Sequence, residues 1–229
     1  MRRHRRLGPP SMIHAIAIAW VSLALAGDGT PPPTAPATSS TIAGFSDLPA
    51  MTPRDAAPPQ ADWLVTPCKR RTAVLRDPQA PQIVMTNGLV SRTLRLVPNA
   101  ATVGFDNLVT GAAILRGVKP EAILEIDGAK YSVGGLTGQP AYAYLRPEWI
   151  DGLKSDPAAF QFAGFEVGPT QARFPWKRKP YSPNLPWPPP GIRLSLHYRP
   201  PAQKLAGLAV SVCYEMYDGI PVLCKWLVL

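Results

Sequence analysis

The sequence predicts an all-β protein: an antiparallel β-sandwich, supersandwich-like, with long Pro-rich loops and at most short helices. Three observations carry that expectation. Short apolar and β-branched runs alternate with turn residues, and three of the turns are Asx-Gly pairs, Asn87-Gly88, Asp127-Gly128 and Asp218-Gly219, which favour tight hairpins. No long stretch keeps the helical apolar period. The composition, 46% hydrophobic and 17% charged, suits a globular core and excludes a coiled coil or an acidic disordered chain, and three cysteines are too few to build a disulfide miniprotein.

Residues 1–26 read as a signal peptide. Arg2, Arg3, Arg5 and Arg6 form a basic start, residues 12–26 are apolar, and Ala24-Leu25-Ala26 before Gly27 fits a small-x-small cleavage site. Fifteen residues rise about 22 Å as a helix, short of the roughly 30 Å of a hydrocarbon core. The expectation is therefore secretion, extracellular or periplasmic, with no stable membrane anchor. Residues 27–60 hold eight of the 29 prolines among Ala, Ser and Thr, and read as a disordered linker. The sandwich is then expected over residues 61–229. Of the net charge of +9, four units sit in the first six residues. The remaining excess does not point to nucleic acid.

Within the body, Asn87-Gly88 as a two-residue turn pairs Met85 with Val90 and Ile83 with Arg92. One face of that hairpin then carries Ile83, Met85, Val90, Leu94 and Leu96, with Arg92 among them. A guanidinium in that company needs a carboxylate partner or an exit to the sheet margin. Asp106, Glu125 and Glu215 are the candidate partners, and Arg92 is assigned a structural ion pair. The second hairpin runs from 122 to 133 about Asp127-Gly128, and the third from 208 to 229 about Asp218-Gly219. Further strands are expected at 101–105, 160–167 and 192–198, and one or two helical turns at 146–154. In the third hairpin a two-residue turn sets Cys213 directly opposite Cys224, with Cα atoms about 5.5 Å apart. The pair is either a disulfide or two small apolar side chains in contact. Residues 175–190 form a proline-rich loop carrying Trp176, Lys177-Arg178-Lys179, Tyr181 and Trp187. Trp176, Tyr181 and Trp187 are the candidate carbohydrate contacts; the competing role is to pin the loop to the core or to another domain.

Catalytic signatures are lacking. His197 is the one histidine beyond the signal segment, and no G-x-S-x-G accompanies it. No C-x₂-C pair supports zinc. Glu125 and Asp127 resemble a carboxylate pair, but Asp127 is explained as a turn residue. Gly134-Gly135-Leu136-Thr137-Gly138 lacks the lysine and the helix of a phosphate loop. No catalytic residue, metal site or cofactor is assigned.

Several segments taken in order carry a family resemblance: Asn87-Gly88-Leu89-Val90-Ser91-Arg92, Asn99-Ala100-Ala101-Thr102-Val103, Phe105-Asp106-Asn107-Leu108, Ile126-Asp127-Gly128, the Gly/aromatic stretch 134–145, and Tyr214-Glu215-Met216-Tyr217-Asp218-Gly219-Ile220-Pro221. Over residues 63–229 the chain resembles the N-terminal β-sandwich region of alpha-galactosidase-like proteins of the glycoside hydrolase family 36 type. The resemblance implies a secreted accessory sandwich, non-catalytic by itself, whose partner is the catalytic barrel of the parent protein. It also implies truncation before that barrel, where the family's catalytic carboxylates reside. The alternative expectation is a stand-alone carbohydrate-binding sandwich.

Overall fold

The computed structural model describes residues 42–182, 184–201 and 205–229. The expected signal peptide and the first part of the expected linker lie outside the described residues. The fold is mostly β, with three antiparallel sheets and two short helices. Sheet I orders β1 (Ala73–Arg76), β2 (Gln82–Thr86), β3 (Val90–Arg95), β4 (Ala101–Asn107) and β5 (Ala112–Ala113) side by side. Sheet II runs in the order β11 (Leu223–Val228), β10 (Val210–Tyr217), β9 (Gly191–Arg199), β8 (Gln161–Pro169). The hairpin β6 (Ala122–Ile126) and β7 (Ala129–Val133) forms the third. The helices are α1 (Pro53–Ala56) and α2 (Pro147–Ile150).

Strand alternation explains the core. Val74, Ile83, Met85, Val90 and Leu94 point inward from sheet I, and Leu194, Leu196, Tyr198, Val210, Val212, Tyr214 and Met216 from sheet II; all are buried in one cluster. The opposite face of β4 contributes Ala101 and Val103 to a smaller cluster with Val118, Leu136 and Leu153, on which Leu145 and Ile150 pack. A bulge at Val103 of β4, opposite Thr93 and Leu94, shifts the β3–β4 register so that Phe105 pairs with Arg92.

Three expectations need correction. The first concerns residues 42–60, read from composition as linker. Here Ile42, Phe45 and Leu48 pack on the main core, and Ala50 bridges Arg76, so this stretch adds to sheet I's β1 margin. Proline-rich composition hid it because only three apolar anchors and a few backbone bonds, such as Met51 N to Arg76 O at 2.8 Å, hold it.

The second and third are registers. The β2–β3 pairing is Met85 with Arg92 and Ile83 with Leu94, two residues beyond the expected one. In β10–β11, Met216 pairs with Leu223 and Glu215 with Cys224, again displaced by two, so Cys213 faces Trp226. A shift of two preserves every face, which is why the inward residues stand as expected. It does separate Cys213 from Cys224, and all three cysteines are free thiols. The cause is the Asn87 side chain, which is fully buried. Its Oδ1 accepts from the Leu89 and Val90 N–H groups at 3.0 and 3.1 Å, and its Nδ2 donates to the Tyr217 and Ile220 carbonyls at 2.8 and 2.7 Å. Asp218 meanwhile accepts from Thr72 N–H and Arg71. The two loops are spent on each other and on β1's approach, not on closing their own hairpins tightly.

Candidate functional site

Among the described residues no hydrogen bond or ion pair joins His197 to Glu125 or Asp127. His197 lies on the outer face of sheet II, where its Nδ1 sits 2.9 Å from Oγ of Ser211, its neighbour across the ladder. Among the described residues no carboxylate hydrogen-bonds the ring, so nothing orients it as a general base. Glu125 is exposed opposite Lys130, and Asp127 occupies its turn at φ 50. Among the described residues no cluster of His, Cys, Asp or Glu suits a metal ion, and no helix is long and apolar enough to cross a membrane.

Arg92 does reach a carboxylate, but not Asp106, Glu125 or Glu215. Its Nη2 lies 3.6 Å from Glu121 Oε2, between the sheets, while Lys225 Nζ reaches the same oxygen at 2.8 Å. Thr102 donates to Glu121 Oε1 through N–H and Oγ1 at 2.6 and 2.7 Å, and Tyr214 OH donates to Oε2. The guanidinium also donates to Thr102 Oγ1 and Tyr214 OH, and lies over the Tyr214 ring at 4.6 Å. Burial pushes the Glu121 carboxyl up, but Lys225 and Arg92, with the Lys225 and Tyr214 hydrogen bonds, outweigh it and hold the pKa below its ordinary value. Burial first, and then the Glu121 charge, push the Tyr214 hydroxyl far up. Every polar atom of this carboxylate is engaged, so the cluster fastens sheet I, sheet II and the base of β6 together; it has no lone pair free for chemistry. Sequence reasoning missed Glu121 because it stands just outside the β6 pattern, after Pro120.

The aromatic loop between β8 and β9 is the exposed, organised surface. Trp187 packs on Phe174 with centroids 4.9 Å apart and on Trp176 at 5.7 Å with the planes tilted 32°. Its Nε1 donates to the Phe174 carbonyl at 3.2 Å. Phe174, Trp176 and Trp187 nevertheless remain 50%, 41% and 38% exposed. Tyr181 stands 83% exposed with no ring neighbour among the described residues, so two of the three expected contacts come together and Phe174 joins them in its place.

The loop's base is latched. Thr170 Oγ1 donates to the Pro189 carbonyl, Gln171 N–H to Glu215 Oε1 at 3.0 Å, and Tyr217 OH to Glu215 Oε2 at 3.0 Å. Arg173 approaches Glu215 Oε2 at 4.0 Å and lies 4.1 Å over the Trp226 ring. Glu215, 1% exposed, therefore holds the loop's first turn on sheet II's outer face. Cys213 and Cys224 belong to that face: Ser195 Oγ lies 3.5 Å from the buried Cys213 sulfur, and Cys224 sits across from Glu215.

Comparison of the chain with family models, with curated proteins and with solved structures finds no match.

Proposed function

We propose that this chain is the non-catalytic β-sandwich of a secreted glycoside hydrolase of the alpha-galactosidase-like type, packed against a catalytic barrel and helping to frame its sugar site. The supporting observation is the margin of sheet II. There β11 is an edge strand, and it exposes Leu227 and Val228 at 36% and 50%, with Ile220 and Val222 of the preceding loop at 38% and 43%. An unpaired strand edge beside uncovered apolar side chains is a surface suited to a partner domain. The reading is tested by the coding DNA that follows codon 229. A barrel-encoding frame is expected there. The barrel, expressed separately, should co-purify with this chain and lose it on Val222→Asp or Val228→Lys. A downstream region without such a frame, even after allowing for a frameshift, removes the reading.

A second reading has its own support in the partly exposed Trp176 and Trp187 rings: the sandwich contacts carbohydrate itself. Aromatic faces pack on the C–H faces of sugar rings, and a latched loop presents them with little ordering cost.

A further inference from the structure

We infer that the Phe174–Trp176–Trp187 cluster binds an acidic polysaccharide, a chain of uronic acid units. The inference deepens the carbohydrate-contact reading and rests on it, but needs no catalytic partner. The distribution of charge around the rings carries it. Residues 167–214 contain seven Lys and Arg and no Asp or Glu. Lys177, Arg178 and Lys179 follow Trp176 directly and are exposed, and no carboxylate of the described residues pairs with any of them. The other cations near the loop are already engaged: Arg173 on Glu215 and Trp226, and Arg193 on Gln171 and Glu166. Lys177, Arg178 and Lys179, beside Trp176 in the loop itself, are left to meet anions brought by a ligand.

The chemistry of a uronic acid matches both halves of this surface. Its pyranose ring offers an apolar C–H face to an aromatic ring, and the same sugar carries one carboxylate, which a guanidinium grips through two parallel N–H bonds. One charge per sugar suits three free cations beside three rings. A heavily sulfated chain carries several charges per sugar and less bare C–H face. A neutral galactan uses the rings and ignores the cations. A nucleic acid strand also brings one charge per unit, but its bases need an open face or a slot. Trp176 and Trp187 lie only 5.7 Å apart and tilted, so no base enters between them, and stacking on an outer face is what the oligothymidylate titration below tests.

The test is a titration of the full chain, followed by tryptophan fluorescence and calorimetry. The ligands are polygalacturonate oligosaccharides, a neutral galactan of similar length, and single-stranded oligothymidylate. Polygalacturonate is expected to bind at least about tenfold more tightly than the galactan, a difference that vanishes if the cations are irrelevant. Raising NaCl from about 0.05 M to about 0.5 M should weaken it several-fold, because exposed charges are screened. Trp176→Ala and, separately, the combined Lys177→Gln, Arg178→Gln and Lys179→Gln substitutions should each lower affinity about tenfold with an unchanged circular dichroism spectrum. Lys130→Gln, on the exposed β6–β7 hairpin of another sheet, should leave it unaltered. Equal, salt-insensitive binding of both glycans overturns the acidic preference and leaves the carbohydrate reading standing. No binding of either glycan removes both, and tighter binding of oligothymidylate replaces them with a nucleic-acid surface. Should a variant misfold, the ligand series and salt dependence of the unaltered chain still decide.

Discussion

The hairpins β2–β3 and β6–β7 both turn on an Asx-Gly pair, yet they are anchored at opposite ends. Asp127 and Gly128 adopt φ 50 and 75, both left-handed, so the second hairpin closes with Ile126 facing Ala129 as a type I′ turn does. Its tip is exposed, and it is held at its base, where Glu121 binds Arg92, Lys225, Thr102 and Tyr214. In the first hairpin only Gly88 is left-handed, at φ 81, and a Cβ there would run into the Arg70 side chain. Asn87 is buried and spends its amide on Tyr217, the last residue of β10, and Ile220 of the β10–β11 loop. One dipeptide signal thus serves two purposes. At Asp127 it is local geometry; at Asn87 it is a tertiary fastening between the two sheets.

The largest effect should come from the base of the second hairpin. Glu121→Ala leaves Arg92 and Lys225 together in a largely buried site with no counter-charge and strands the Tyr214 hydroxyl. Chemical denaturation should register a loss of about 3–5 kcal/mol. Arg92→Ala should fall at the lower end of that range, since Lys225 still neutralises the carboxylate, and Arg92→Lys should recover only part, because an ammonium lacks the fork that reaches Thr102 and Tyr214 together. A loss within about 0.5 kcal/mol for Glu121→Ala would mean that the hairpin's base is solvated and the contrast between the two hairpins is false.

Next comes the tip of the first hairpin. Asn87→Asp keeps the shape and the two bonds accepted by Oδ1, but replaces a donor to two carbonyls with an oxygen facing them. Each buried carbonyl left without its partner costs about 1–3 kcal/mol, so a loss of at least about 2 kcal/mol is expected in the same assay. A neutral outcome would place the loop in solvent.

A smaller effect separates the loops by pH. Burial raises the Asp218 carboxyl, but the Thr72 N–H hydrogen bond and Arg71 outweigh it, and its pKa lies below the ordinary 3.8. Glu121 likewise lies below its ordinary 4.5. A depressed folded pKa contributes stability that is present above the unfolded value and is lost as pH falls through the folded one. The denaturation midpoint should therefore hold down to about pH 5 and decline below those ordinary values. Asp218→Asn, which keeps an acceptor for Thr72 N–H without the charge, should flatten the Asp218 share of that decline. A variant whose acid profile superimposes on the parent would remove the Arg71–Asp218 contact from the fastening.

Much of this architecture is legible in alternation. The inward sets Ile83, Met85, Val90, Leu94 and Leu194, Leu196, Tyr198 follow from a period of two, and a register error of two residues leaves them intact. What alternation does not carry is loop length. The Asn87 loop opens because its amide finds carbonyls 130 and 133 residues away, and no local signal encodes that distance. The Cys213–Cys224 juxtaposition failed for this reason alone. Arg92 announced itself by its place among apolar neighbours, while its partner Glu121 carried no strand pattern to mark it. Trp176 and Trp187 were visible as aromatic residues in a rigid loop, but their meeting, and Phe174's replacement of Tyr181, depend on how the Thr170–Pro189 and Gln171–Glu215 contacts fold the loop back.

The smallest effect is the reciprocal exchange, and it is the most discriminating. Asp127→Asn places in the second hairpin the residue that type I′ turns favour most, at a position where no tertiary partner depends on the side chain among the described residues. Stability should stay within about 0.5 kcal/mol of the parent. Measured beside Asn87→Asp, it exchanges the same two chemical groups in the opposite sense at a site without a tertiary partner for the side chain among the described residues, so its size bounds what the exchange costs by itself. A large difference between the two exchanges isolates the tertiary role of Asn87. If both are equally small, Asn87 is a turn residue like Asp127, and the two-residue displacement of β2–β3 needs a cause other than the Tyr217 and Ile220 carbonyls.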